Sequence, residues 1–321
     1  MGKRIKHLLL ASLFACGLMG LSPEKAFAGP KKIGILLWSD EARYLESVKA
    51  MLDQLKADGF TDFEVSQASA GANKATAMHL AQGFAAANMD VYVALGTNGM
   101  AALLKEIKQA PIVFNVVYDP VGSGFVDSWL RSKNNVTGVS NFLSMADILE
   151  RVKAIVPLKN LAVLYTPDQK NSESQLRDLQ KVEKQCAINI IPVPLSSSED
   201  AVSVMALLKG KAEAVFLTGS GYVGTAIGPI IEAAIKEKIV PVSHLPDYVD
   251  QGVLLGVGAD MRELGQTAAG KVEAVLKGAL PTDIPVDGPK KVHIYLNLKT
   301  ARAIGFTIPD ALRKEAVKVI E

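Results

Sequence analysis

From Lys32 onward the chain alternates short apolar runs with longer stretches in which apolar residues recur every three or four positions. Ile33-Gly34-Ile35-Leu36-Leu37-Trp38 reads as a buried strand, and Ser39-Asp40 as the cap of the helix that follows. That helix places Tyr44, Val48, Met51, Leu52 and Leu55 on one face and runs to Gly59. Phe63-Glu64-Val65 predicts a weaker strand, and 75–87 a second helix. Val91-Tyr92-Val93-Ala94-Leu95 is another buried strand. It passes through the tight turn Gly96-Thr97-Asn98 straight into a helical pattern of Met100, Leu103 and Leu104. Residues 111–116 give a fourth strand. Strands alternating with helices of this length predict right-handed βαβ units on a parallel sheet.

The rhythm changes at 118–134, which is rich in Gly, Ser, Asp and Pro and reads as a long connection. A strand over 135–140 and a helix over 146–156 precede a second series. Its strands are expected at 161–165, 188–193, 214–217, 239–242 and 253–257. Its helices are expected at 172–185, 198–208 and 223–236, with one more running from Asp260 to Lys277. Pro281 to Pro289 is a further connection, followed by a strand over 293–298, a short helix over 299–304 and a final helix after Pro309. The pattern predicts an α/β protein of two doubly wound parallel-sheet lobes joined by a multi-strand hinge, crossing near 117–141, 258–261 and 280–290. The expected boundaries are 29–117 plus about 260–285 for the first lobe, and 118–259 plus about 286–321 for the second. Open parallel sheets bind ligands outside the carboxyl ends of their strands, so two such sheets facing each other imply one shared cleft that closes by hinging.

The first 28 residues belong to neither lobe. Lys3, Arg4, Lys6 and His7 make a basic start, 8–21 is apolar, and Ala26-Phe27-Ala28 is a cleavage pattern before Gly29. This reads as a secretory signal peptide. Lipoprotein processing at Cys16 ranks second, because the apolar run continues past that residue. Removing the segment takes four of the 35 Lys/Arg and one of the 33 acids, which turns the formal charge from +2 to −1. No basic stripe is left to neutralise phosphates, so no nucleic-acid partner is expected. Cys186 would be the one remaining cysteine, which excludes an internal disulfide. An exported two-lobe chain without disulfides fits a periplasmic or extracellular setting.

The turn Gly96-Thr97-Asn98 suits a carboxylate, because first-turn N–H groups and the positive helix end face outward there. A single such turn is more often an ordinary βα connection. Its recurrence in both halves favours a ligand. Asp119 and Asp260, in the connections, are candidate acceptors for an ammonium group. Trp38, Tyr118, Tyr165 and Tyr222 stand at or just after strand ends, as flat walls for an apolar side chain. Ser39, Asn141, Asn171, Ser172, Thr218, Ser220, Ser243 and His244 occupy equivalent positions and complete the candidate set. Gly219-Ser220-Gly221-Tyr222-Val223-Gly224 is a literal G-x-G-x-x-G, but the next strand ends at Val242-Ser243-His244 without the acid that a dinucleotide ribose needs. No cofactor is expected. Ser220 lacks the frame of a nucleophile elbow, and His7, His79, His244 and His293 lack metal-ligand spacing, so neither catalysis nor a metal is expected.

Asn115-Val116-Val117-Tyr118-Asp119-Pro120-Val121-Gly122-Ser123-Gly124, then Asn135-Val136-Thr137-Gly138-Val139-Ser140, resembles the D-P-V-x-x-G … N-V-T-G-V-S signature of one group of ABC-importer substrate-binding proteins. The ending from Leu296-Asn297-Leu298-Lys299-Thr300-Ala301 to Gly305-Phe306-Thr307-Ile308-Pro309 resembles that group's N-L-K-T-A-x-x-L-G-L-T-I-P. The resemblance spans the chain after residue 28. It implies a type I periplasmic-binding-protein-like fold, a small amino-acid-like ligand with aromatic or apolar amino acids favoured, an ABC permease as membrane partner, and a monomer. The chain departs from the group at Thr218–Tyr222, where a T-D-N-like turn is usual, and at Ser243–Asp247, where an acidic, serine-rich pattern is usual. Both segments bear on ligand identity. A sensory module that presents the loaded lobes to a receptor is the alternative, ahead of a periplasmic enzyme. The leader and the missing helix-turn-helix speak against a repressor.

Overall fold

The computed structural model describes residues 29–132 and 134–321. The expected leader over 1–28, with His7 and Cys16, lies outside them. The first lobe is built from β1 (Lys31–Leu37), α1 (Ala42–Ala57), β2 (Phe63–Ser69), α2 (Lys74–Ala87), β3 (Val91–Leu95), α3 (Thr97–Glu106), β4 (Ile112–Val117) and β5 (Val136–Ser140). These strands form one parallel sheet in the order β2-β1-β3-β4-β5. The three central strands β1, β3 and β4 are almost wholly buried, as continuous apolar runs covered on both faces must be. Edge strand β2 is largely exposed and polar, which is why only its first residues read as strand in the sequence.

The chain then crosses to a second lobe of α4 (Met145–Lys153), β6 (Asn160–Tyr165), α5 (Lys170–Val182), β7 (Asn189–Pro194), α6 (Ser198–Leu208), β8 (Ala214–Leu217), α7 (Gly221–Thr225), α8 (Ile227–Glu237), β9 (Val240–Ser243), α9 (Asp247–Asp250) and β10 (Leu255–Gly258). It returns to the first lobe with α10 (Met261–Leu276), which packs on α1 and behind β4 and β5. It finishes in the second lobe with β11 (His293–Asn297), α11 (Leu298–Ile304), α12 (Asp310–Glu315) and β12 (Ala316–Ile320). The second sheet runs β12-β11-β10-β9-β8-β6-β7, with β11 antiparallel to β10 and the other pairs parallel. Among the described residues no helix is long and apolar enough to cross a membrane.

Several local expectations are corrected. Strand β5 pairs with β4, so the first sheet extends past residue 117 into the segment read as the start of the second lobe. The helix expected over 223–236 breaks at Ala226 into α7 and α8. The expected last helix stops at Glu315. Beyond it Ala316-Val317-Lys318-Val319-Ile320, rich in β-branched residues, adds an edge strand beside β11.

Two features of the first lobe fix the geometry at the strand tips. Val116 has φ +55°, a conformation that a β-branched residue rarely adopts, at a bulge where the β4–β5 register shifts. Asn115 holds this bulge. Its Oδ1 accepts from the Val116 N–H at 2.8 Å, and its Nδ2 donates to Ser47 Oγ of α1 at 2.7 Å. Helix α10 crosses α1 at Gly265, where a Cβ would run into the Ser47 carbonyl and lie 3.0 Å from Ala50 Cβ. Gly265→Ala is therefore expected to lower stability by about 1–3 kcal/mol, the usual cost of overpacking. Urea unfolding checks this; an unchanged midpoint would mean that the α1–α10 contact relaxes freely.

Candidate functional site

The carboxyl ends of β3 and β4 from the first lobe and of β8 and β9 from the second converge on one narrow interlobe cavity of about 20 Å³. Arg43, Tyr44, Thr97 and Val116 line it from the first lobe. Tyr118 and Asn141 stand at the crossover, and Asn171, Gln175, Gly219, His244 and Leu245 face them from the second lobe. Gly96, at φ +82°, lets β3 turn directly into α3, and Tyr44 packs against its missing side chain. Thr97 thus begins a ten-residue helix whose first-turn N–H groups have no intrahelical acceptor.

Three buried polar atoms of the lining residues have no protein partner: Asn141 Oδ1, Asn171 Oδ1 and His244 Nδ1. Leaving buried groups unpaired is costly, so these three atoms call for a partner from outside the protein, water or solute. Asn171 Nδ2 donates to the Gly219 carbonyl at 2.6 Å, which fixes its Oδ1 as the free acceptor. His244 is buried, stacked on Phe216 and edge-on to Tyr118. Burial first, and the Arg43 charge second, push its pKa down to about 3, so the ring is neutral. Tyr118 donates to Asp178 Oδ2 at 3.1 Å, and burial with that carboxylate holds the phenol protonated.

The lobes meet at a buried charge cluster beside the cavity. Arg43, 3% exposed, donates through Nη1 to Asp247 Oδ2 of the second lobe at 2.9 Å and sits 2.6 Å from Glu41 of its own lobe. The Tyr44 and Tyr248 rings flank the guanidinium at 4.7 and 5.4 Å. Burial raises the Asp247 pKa, and the attraction of Arg43 opposes that rise. Lys74 Nζ of α2 adds a second interlobe bond, to the Asp168 carbonyl at 3.0 Å.

Of the residues singled out from sequence, Thr97, Tyr118, Asn141, Asn171 and His244 line the cavity. The others lie elsewhere. Trp38 is buried in the first-lobe core, and Tyr165 packs against the core of the second. Tyr222 is among the exposed large side chains. Ser39 donates to Glu41. Ser172 accepts from the Thr166 N–H, Thr218 donates to the Leu164 carbonyl, and Ser243 donates to the Leu217 carbonyl. Ser220 caps α7 and pairs with Thr166, so the G-x-G-x-x-G stretch serves as a helix start. Asp119 accepts from the Gly122 N–H and Ser174 Oγ, and Asp260 caps α10. Neither carboxylate lines the cavity. Asn98 faces an outer pocket with Lys74, Lys105 and Lys170. Sequence reasoning missed Arg43, Val116 and Gln175 as site residues. Arg43 and Gln175 look like solvated helix positions, and the one available signal was their place in the first two turns of helices that follow strand tips.

Among the described residues no three His, Cys, Asp or Glu side chains gather as a metal would require. The neutral His244 has a consequence for stability. Its folded pKa lies below the unfolded value of 6.5, so the unfolded chain binds the extra proton as the pH falls. Its contribution is complete above pH 6.5 and is lost on acidification, at about 1.4 kcal/mol per pH unit between roughly 6 and 3. Urea unfolding at pH 7, 6 and 5 is expected to show that slope, and His244→Phe to flatten it. Equal slopes in the two proteins would place a proton on His244 in the native state.

The sequence profile described as ABC transporter substrate binding protein matches residues 32–320. A tyrosine-binding protein of Clostridioides difficile is 26% identical over 278 residues, which are 85% of this chain and 81% of that one. A solved conserved domain protein of Vibrio cholerae is 28% identical, with a TM-score of 0.86, over 90% of this chain and 99% of that one. A Streptococcus pneumoniae ABC domain solved in complex with L-Trp is 23% identical, with a TM-score of 0.86, over 91% of this chain and all of that one. With the matched profile running through both lobes and every interlobe crossing, the chain belongs to the ABC transporter substrate-binding protein family.

Proposed function

We propose that the interlobe cavity captures a small amino acid by closure of the two lobes, outside the cytoplasmic membrane, and that the loaded monomer hands it to an ABC importer without chemical change. The observation that carries this reading is the set of unpaired buried atoms at Asn141, Asn171 and His244 on a cavity walled by both lobes. A zwitterion matches it. Its carboxylate takes the first-turn N–H groups and hydroxyl at Thr97, as anions do at helix starts. Its ammonium donates to the Asn141 and Asn171 amide oxygens. Relatives named for tyrosine binding and solved with L-Trp support an amino acid as the ligand class.

The ammonium would meet no carboxylate among the described lining residues. Arg43 carries the one formal charge among the described lining residues, and Glu41 and Asp247 already compensate it. Ammonium recognition therefore rests on neutral oxygens, and the affinity is expected to depend weakly on ionic strength.

A thermal-shift screen of the amino acids tests the reading. A true ligand at a hundred times its dissociation constant adds about 2.7 kcal/mol of stability. Thr97→Ala is expected to weaken the best ligand by about tenfold while the protein stays folded. If no amino acid raises the unfolding temperature, the assignment of ligand class fails. If the variant binds as tightly as the parent, the carboxylate sits elsewhere.

A further inference from the structure

We propose that the second lobe selects among amino acids by a single fixed hydrogen-bond donor, the Nδ1–H of His244, and so prefers a side chain carrying an uncharged oxygen over its hydrocarbon counterpart. This deepens the reading above and rests on the cavity taking an amino acid.

The tautomer of His244 follows from the protons on three residues. The Gly219 N–H donates to Gln175 Oε1 at 2.9 Å, which fixes the orientation of that amide. Gln175 Nε2 must then be the donor in its 3.1 Å contact with His244 Nε2. His244 Nε2 has to accept, so it carries no proton. In the neutral ring the proton sits on Nδ1. An imidazolium would set two donors face to face at Nε2. The surroundings agree, since the ring is buried against Phe216 and Tyr118 and faces the positive Arg43 across the seam. Tyr118 is no rival acceptor, because its hydroxyl pairs with Asp178 and makes no hydrogen bond to His244, whose Nδ1 has no protein partner.

Nδ1–H is therefore a buried donor without a protein partner on a residue lining the cavity. Asn141 Oδ1 and Asn171 Oδ1 stand ready for the ammonium, and the α3 start for the carboxylate. The group left for His244 is the ligand's side chain. A site built around a buried donor discriminates strongly against a ligand that leaves it unpaired. Gln175 acts as a positioning residue, since it touches the imidazole and sets its tautomer.

The test is calorimetric titration of the full chain with two matched pairs, tyrosine against phenylalanine and threonine against valine, from pH 5.5 to 8. In the parent protein the oxygen-bearing member of whichever pair binds is expected to be tighter by about tenfold or more, at every pH in that window. His244→Phe, which keeps a ring against Phe216, is expected to reduce the ratio to near unity. Gln175→Glu gives an independent readout. Its carboxylate accepts both from the Gly219 N–H and from a proton on His244 Nε2, so Nδ1 of the neutral ring becomes an acceptor; a ligand hydroxyl, which can itself donate, still pairs with it, and the readout of this variant is the tautomer. Histidine nitrogen NMR should show Nε2 unprotonated in the parent and protonated in that variant. Equal affinities within the binding pair, or a protonated Nε2 in the parent, overturn this inference while leaving amino-acid capture intact. If every amino acid fails to bind, both readings fall.

Discussion

A guanidinium buried between two lobes is the constraint on which the closed arrangement depends. Arg43 reaches across the seam to Asp247 while Glu41, its neighbour in sequence, balances it from the same side. Opening the lobes would return Arg43 and Asp247 to water and recover much of their hydration, which offsets part of the attraction lost between them. A solute whose differential affinity favours the closed form can then shift the population. Arg43 also walls the cavity and helps keep His244 neutral. The same charge thus links lobe contact to the chemistry of the site.

Around that seam the backbone is placed by ordinary packing. Parallel strands with both faces covered bring β3, β4, β8 and β9 to the gap at their carboxyl ends. Of the six non-glycine residues with positive φ among the described residues, Val116 is the one that is β-branched, and Asn115 holds its bulge against α1. Backbone strain of this kind collects at binding sites, and here it lies on the cavity wall.

The fold was largely legible in the sequence because the buried strands are unbroken apolar runs and the helices carry clear apolar faces. Ala214–Leu217 and Ser198–Leu208 coincide with their expected limits. Legibility failed where solvent replaced packing as the deciding factor, at exposed β2 and at terminal β12. The site was legible only in part. Position at a strand tip picks out Thr97, Tyr118, Asn141, Asn171 and His244, which line the cavity. The same rule also selected Ser172, Thr218, Ser220 and Ser243, whose hydroxyls serve the turns themselves. Sequence position does not say whether a hydroxyl faces its own backbone or a ligand. Arg43 and Gln175 escaped notice because their roles come from partners 204 and 69 residues distant.

The central claim is that two hinged lobes close over a solute held between their strand tips. Small-angle X-ray scattering of the protein, alone and saturated with an amino acid that calorimetry shows to bind, tests it most directly. A smaller radius of gyration is expected on saturation, as the two lobes come together. Binding that leaves the scattering of an open protein unchanged would contradict it.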